Sequence, residues 1–511
     1  IQKLRSLILE LAVRGKLVPQ DPNDEPASEL LKRIAKDGSP DVGEDEQPFA
    51  IPDTWKWVRF DAVFLLEYGD NLPAPKRTNT GEFPVYGSNG IVGSHSNCCV
   101  MQPCIVVGRK GSAGALNLCL HSGCWVTDVA YYCIPPAGID LGFCFKLFHT
   151  LGLDDFGRGI KPGLSRSEAY EIPVAIPPLA EQHRIVAKVD ELMALCDLLE
   201  AEQADAGAAH ARLVATLLGT LTKSADAAEL AANWQRLAEH FDTLFTTEAS
   251  LDALKQTLLE LAVMGKLVPQ DPNDEPASEL LKRIAKERAR QQATGKIGKS
   301  KLVLPVDEDE RPFSLPSGWE WVRFAAVATT RLGKMLDAAK NRGELKPYLR
   351  NTNVQWFRLD LEDIKELRLD HEELNELRLE TGDLLICEGG EPGRCAIWQA
   401  DAEEMYFQKA LHRARPDGGT LAAYLQIVLR QDAVSGWLEK YFTGATIKHF
   451  SGEKLAAYAI PLPPVAEQHR IVAKVDELMA LCDRLKADLA EARTRQERLA
   501  TTLIESALNA A

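Results

Sequence analysis

The 511-residue sequence has no uninterrupted apolar run approaching the roughly 18 residues a bilayer span needs, so no membrane-crossing helix is expected. No secretory leader is expected at the start, where Lys3, Arg5, Glu10, Arg14 and Lys16 break up the apolar core such a leader needs, and a cytoplasmic location is expected. Disulfide chemistry has no framework either, because the eleven cysteines are odd in number, include the adjacent pair Cys98 and Cys99, and form no C-x-x-C spacing. Free thiols are expected. Catalytic signatures are missing as well. GRKGSAG at 108–114 lacks the Lys-Ser/Thr ending of a phosphate-binding P-loop, and TGKIGKS at 294–300 follows Ala293 where the first glycine belongs. No GxGxxG, HExxH or GxSxG occurs, nor the Asn-Pro-Pro-aromatic tetrapeptide of amino-methyltransferases. Glu388 in CEGGEPGR has no evident carboxylate-lysine partner set. The chain reads as a binding protein with no catalytic residue and no bound cofactor.

What is present is globular: 45% hydrophobic and 26% charged residues, in a chain too long for one core. The net charge of −15 would oppose nucleic acid if it were evenly spread, so its distribution matters. A zinc site drawn from His95, Cys98, Cys99, Cys104, Cys119, His121 and Cys124 is the weaker reading beside ordinary buried cysteines, and no metal is assigned.

Internal repetition decides the architecture. The segment GKLVPQDPNDEPASELLKRIAK at 15–36 recurs unchanged at 265–286, PFxxPxxWxWVRF at 48–60 recurs at 312–324, and AEQHRIVAKVDELMALCD at 180–197 recurs at 466–483. The offsets grow from 250 to 264 to 286, which places 14 extra residues in the second linker and 22 in the second central block. The chain is a tandem duplication whose central blocks share little sequence. The simplest physical cause is a common partner for the flanks and different ligands for the blocks; gene conversion restricted to the flanks is the bland alternative.

The flanks read as helices. Ile185, Val189, Leu192, Cys196, Leu199, Gln203, Ala206, His210, Leu213 and Leu217 follow a heptad seam, and Ile471, Val475, Leu478, Cys482, Leu485, Leu489, Ala492, Gln496, Leu499 and Leu503 repeat it. The pairs Pro177-Pro178 and Pro463-Pro464 set the starts, with Glu181 and Glu467 in the first turns. Residues 179–217 would reach about 58 Å, alongside about 17 base pairs of duplex. Shorter helices are expected at 4–13, 27–36, 254–263 and 277–290.

The blocks, 48–178 and 312–464, carry net charges of only −1 and −3, so the flanks and linkers hold the remaining −11. The first reads as mixed α/β dominated by strands; the second alternates strand-like runs at 383–387 and 395–398 with a helix at 421–438. Local basic stretches can then dominate each block's field. Residues 331–350 carry net +4, Arg109 and Lys110 sit in GRKGSAG, and Arg158, Lys161 and Arg166 sit in GRGIKPGLSR. Arginine and lysine on glycine-flanked loops suit phosphate gripping and base-edge reading, while a solvated surface explains the composition equally well.

These elements together resemble the specificity subunit of Type I restriction-modification systems. The resemblance rests on the P-P-[LV]-A-E-Q-H-R-I helix starts, the GKLVPQDPNDEPASELL segments, YGSNGIVG with IVVGRKGSAG, and YLRNTNV with GDLLICEGGEPGR, and it covers essentially the whole chain. It implies an α+β architecture: two globular α/β target recognition domains separated by long antiparallel coiled-coil helices in a pseudo-twofold repeat. The expected layout is a helical flank at 1–47, target recognition domains at 48–178 and 312–464, a central spacer and linker at 179–311, and a C-terminal spacer at 465–511. Each target recognition domain would read half of a bipartite DNA target. Two methyltransferase subunits would bring S-adenosylmethionine and two restriction subunits would bring ATP and magnesium. By this resemblance the DNA contacts are Ser88, Asn89, Arg109, Lys110, Ser112 and Lys161, with Arg350, Asn351, Asn353, Arg394, Lys409, His412 and Lys448. The partner-docking residues are Glu181, Gln182, His183, Arg184, Glu467, Gln468, His469 and Arg470, chosen because a coiled-coil seam does not require polar identity in both copies. A two-headed coiled-coil scaffold binding proteins or sugars, or a nuclease with an unrecognised site, are the competing readings.

Overall fold

The computed structural model describes residues 1–35, 42–156, 163–294, 305–337, 341–399 and 404–510. The chain divides into two compact units, Ile1–Gly207 with Thr494–Ala511, and Ala208–Arg493.

In the first unit, helices Gln2–Val13 and Ala27–Ile34 precede a strand-rich block. Strand β1 (Lys56–Arg59) enters the block and pairs antiparallel with β9 (Pro173–Ile176), which leaves it, so entry and exit lie side by side. Between them run β2 (Glu67–Tyr68), β3 (Phe83–Gly87), β4 (Gly90–His95), β5 (Cys104–Gly108), β6 (Leu116–Cys119), β7 (Trp125–Val126) and β8 (Ala130–Cys133). They form a sheet of order β2-β8-β5-β6 and a second of order β4-β3-β7, in which β3 and β7 are parallel. Strand β5 is buried throughout, which its continuous apolar run dictates. Helix Leu141–Phe148, capped by Asp140, contributes Phe143 and Phe148 to a core shared with Phe60 and Phe64.

The second unit repeats this plan. Its strands are β10 (Glu320–Arg323), β11 (Ala328–Leu332), β12 (Glu344–Leu349), β13 (Val354–Gln355), β14 (Arg358–Leu359), β15 (Lys365–Leu369), β16 (Leu384–Cys387), β17 (Cys395–Ile397), β18 (Tyr406–Phe407), β19 (Leu411–Pro416) and β20 (Ala459–Leu462). The orders β11-β19-β16-β17, β15-β12-β18 and β10-β20 match the first unit strand for strand, and β12 pairs parallel with β18 as β3 does with β7. Blocks with little sequence in common therefore share one fold. The extra length of the second enters as the hairpin β13-β14, where the first joins β3 directly to β4, and as a longer helix, Ala422–Ser435.

Two long helices, Leu179–Lys223 and Val465–Ala510, start directly after the proline pairs, as the sequence predicts. Their seams depart from a strict heptad. On the first, Ile185, Val189 and Cys196 are buried, residues 197–209 are all exposed, and burial resumes at Val214, Leu218 and Leu221 instead of Leu213 and Leu217. From Cys196 to Val214 is 18 residues, five whole turns at 3.6 residues per turn, so this helix keeps a straight helix's phase and drifts off the 3.5-residue repeat. On the second, Ile471, Val475 and Cys482 are buried, Leu478, Leu485 and Leu489 are half-buried, and Leu499 and Leu503 are exposed. Helices Glu248–Val263 and Ala277–Ala293 lie close to expectation, while Ala227–Glu239 adds a helix with no sequence forecast.

Candidate nucleic-acid interface

The three repeated segments converge at one joint in each unit. Glu181, in the first turn of its helix, accepts hydrogen bonds from Trp55 Nε1 at 2.9 Å and Gln20 Nε2 at 2.6 Å; Glu467 accepts from Trp319 and Gln270 at 2.9 and 2.7 Å. Burial holds both carboxyl groups above the usual carboxylate range, against the pull of these donors. Gln182 accepts from the Asp140 amide and donates to the Pro177 carbonyl, and Gln468 does the same with the Leu421 amide and the Pro463 carbonyl. Arg184 pairs with Asp24 and Arg470 with Asp274, each at 2.6 Å. Gly15 and Gly265 sit at φ +69°, and a Cβ there would approach Pro52 or Pro316 within 2.6 or 2.5 Å. Glu181, Gln182, Glu467 and Gln468 are thus buried and occupied within the fold, which corrects their assignment to partner docking. Arg184 and Arg470 are ion-paired as well, and only His183 and His469 of that set are exposed. Their repetition has an intramolecular cause: each copy needs the same joint between block and helix.

A second feature common to both units is the turn linking β5 to β6 and β16 to β17. Gly114 N donates to Gly108 O and Gly108 N to Ala115 O; Gly393 N donates to Cys387 O and Cys387 N to Arg394 O. Gly111 and Gly114 have positive φ, as do Gly390 and Gly393, which explains the spacing of glycines in GRKGSAG and EGGEPGR. The backbone oxygen of Arg109 takes the Leu164 amide, and that of Glu388 takes the Phe450 amide. Arg109 and Glu388 therefore occupy the same place in the two blocks with opposite charge.

Around Arg109 the first block forms a basic, aromatic groove. The Arg109 guanidinium lies 4.7 Å over the Tyr68 ring and 5.7 Å from the Tyr131 ring while donating to the Asp128 carbonyl; Arg166 covers Tyr68, also at 4.7 Å. Tyr68 is half exposed between two guanidinium groups, with exposed Lys110 at the groove's edge. Such stacked cations are held in place while remaining open to a ligand. Asn89 is exposed, and Ser88 and Ser112 are half-buried beside the turn. Lys161 lies outside the described residues. Arg166 was noted as one of the basic residues of GRGIKPGLSR but not placed among the DNA contacts, and Tyr68 was not picked out, because it belongs to a two-residue strand with no periodicity to mark it.

The second block gathers Arg350, Asn351, Asn353 and Arg394, but largely to hold its own loops. Arg350 pairs with Asp363 at 2.7 Å, and Asn353 is buried with its amide on the Asp360 and Asp363 carbonyls. Arg394 donates to Glu391 and to the Asn351 carbonyl, and Asn351 donates to the Gly389 carbonyl. His412 is buried, its ring against the Phe450 carbonyl, and desolvation lowers its pKa. Asn353 and His412 are therefore corrected from DNA contacts to internal supports. Glu388 pairs with His449 at 3.1 Å, a feature missed in sequence, and Lys409 and Lys448 are exposed. Among the cysteines, the Sγ atoms of Cys104, Cys119 and Cys124 lie within 4.8 Å of one another.

Residues 316–492 match the family model described as "Type I restriction modification DNA specificity domain". Over the whole chain, the sequence is 36% identical to the Type I restriction enzyme EcoAI specificity subunit of Escherichia coli and 35% identical to the EcoEI specificity subunit, covering 94% of each. A solved chain, from work on complex assembly and conformational transition of the type I R-M system, superposes with a TM-score of 0.52 at 17% identity, over 90% of this chain and 99% of that one. That superposition agrees on the fold, and full-length identity above a third settles descent: the chain belongs to the specificity subunits of Type I restriction-modification systems.

Proposed function

We propose that this chain is the DNA-reading, non-catalytic subunit of a cytoplasmic Type I complex. Each block reads one half of a bipartite, asymmetric target, and the helices set the gap between halves. Two methyltransferase subunits with S-adenosylmethionine dock on the helical parts, and two restriction subunits with ATP and magnesium complete the assembly. One observation carries this reading: the same glycine-supported turn, in two blocks of one fold, presents Arg109 and Lys110 in one and Glu388 and Gly389 in the other. Identical frames with unlike tips suit two unlike half-sites, since arginine favours guanine acceptors and a carboxylate favours the cytosine amino group. The exposed cations Lys110, Lys409 and Lys448 serve as phosphate contacts. Methylation mapping of DNA from cells carrying this chain with its neighbouring methyltransferase tests it. A two-part motif is expected, and Arg109→Ala should relax one half only. A contiguous motif, or equal weakening of both halves, would overturn the proposal.

A further inference from the structure

Five of the eleven cysteines fall within residues 98–124, and the fold draws three of them into one buried cluster. Cys104 and Cys119 are cross-strand partners at the far end of the β5-β6 hairpin from the Arg109 turn, and Cys124 directly precedes β7 in the other sheet. All three are fully buried. The Cys104 and Cys124 sulfurs stand 3.8 Å apart. That is far from a disulfide, and it matches the separation of about 3.8 Å for two thiolates bound at about 2.3 Å to one tetrahedral ion.

One backbone amide points at sulfur beside the cluster. Cys99 Sγ takes the Val126 amide at 3.3 Å and lies 3.8 Å from the Val126 carbonyl, and Tyr86 packs into the same cluster. Donors aimed at sulfur stabilise thiolate more than thiol, the arrangement metal-bound cysteines require. The second block shows that the fold itself asks for no thiols here. Aligned through the common turn, its counterparts of Cys104, Cys119 and Cys124 are Asp383, Trp398 and Met405, with Trp398 filling the space.

We propose that Cys104, Cys119 and Cys124 form a thiolate site in the first block for a soft d10 cation, zinc(II) or copper(I), which clamps its two sheets together. Cys99 packs against the same cluster and supplies a fourth sulfur by a side-chain rotation when four-coordination is needed. Binding displaces the thiol protons to solvent, so affinity falls as pH falls. Sheet-to-sheet clamping at this point steadies the hairpin that carries Arg109 and Lys110.

The test uses the full-length chain prepared under reducing conditions. Elemental analysis should find one zinc or copper per chain, and the two arms are separated by reloading the stripped protein with zinc(II) alone or copper(I) alone. X-ray absorption of the loaded protein should show a sulfur-only shell of three or four atoms, and cobalt(II) loading should give a thiolate charge-transfer band. Cys119→Ala and Cys124→Ala should each lose the ion at least tenfold, while Cys98→Ser and Cys395→Ser keep it. Should the alanine variants fail to fold, the absorption shell of the wild-type protein decides alone. A nitrogen or oxygen shell, retention of the ion in folded alanine variants, or equal melting of the first block with and without either ion would overturn the proposal.

Discussion

Replacing Glu181 by alanine tests whether the repeated flank residues serve the fold or a partner. The substitution strands Trp55 Nε1, a donor on a buried indole, at about 1–3 kcal/mol. Loss of a negative charge from a first helical turn adds about 0.3–1 kcal/mol. Gln20 is exposed and re-solvates at little cost, and removing a carboxylate that burial already disfavours returns part of the total. A net loss of about 2–3 kcal/mol is expected for Glu181→Ala, and under about 1 kcal/mol for Glu181→Gln, which keeps an acceptor for the indole. The duplication supplies an internal control. Hydrogen exchange should accelerate in peptides around residues 15–35 and 48–60 and stay unchanged in their counterparts around 265–285 and 312–324; Glu467→Ala should reverse the pattern. Unchanged exchange in both copies, combined with lost assembly with methyltransferase subunits, would refute the joint and restore a docking role.

Further outcomes follow from the same geometry. Asp432, half-buried beside the Tyr458 hydroxyl at 2.5 Å, has its pKa pushed up to about 7 by desolvation. The folded state therefore holds a proton that the unfolded chain releases near pH 4, so stability of the second unit falls as pH rises from about 4 to about 7 and then levels. Because the side chain keeps some contact with solvent, about 2 kcal/mol of the limiting ~4 is expected, and chemical denaturation across that range should show the slope in wild type but not in Asp432→Asn. Arg109→Ala should cost about 1–3 kcal/mol in binding to one half-site, read by methylation of matched and half-mutated duplexes, whereas Lys409→Ala should lower affinity uniformly and reduce its salt dependence. Gly265→Ala forces a Cβ onto Pro316 at positive φ and should destabilise the second unit by more than about 1 kcal/mol, visible as a lower melting temperature.

The large-scale plan was readable because it is written in local signals. Proline pairs mark where both long helices begin, and near-identical segments mark the duplication. Residue roles were less readable where they depend on distant partners. A first-turn glutamate looks the same whether it faces solvent or, like Glu181, an indole 126 residues away. His412 sits between Leu411 and Arg413 in a strand whose alternation is broken by burial of consecutive residues, so its direction could not be taken from spacing. Arg109 and Glu388 are unlike in every chemical respect, and their equivalence shows only in matching backbone hydrogen bonds and glycine dihedrals. The shared fold of the blocks was expected only through the family resemblance and not from their residues, because strand order is preserved while side chains diverge.

The pairing of β1 with β9, and of β10 with β20, has an evolutionary corollary. Each block leaves the scaffold and returns to it through neighbouring strands whose flanking residues are nearly duplicated, so everything between them is an exchangeable cassette. A foreign insert need only preserve the tryptophan-bearing threshold and the helix that receives it. New binding preferences could thus spread by homologous exchange at these short, near-duplicate borders, without redesign of the parts that assemble.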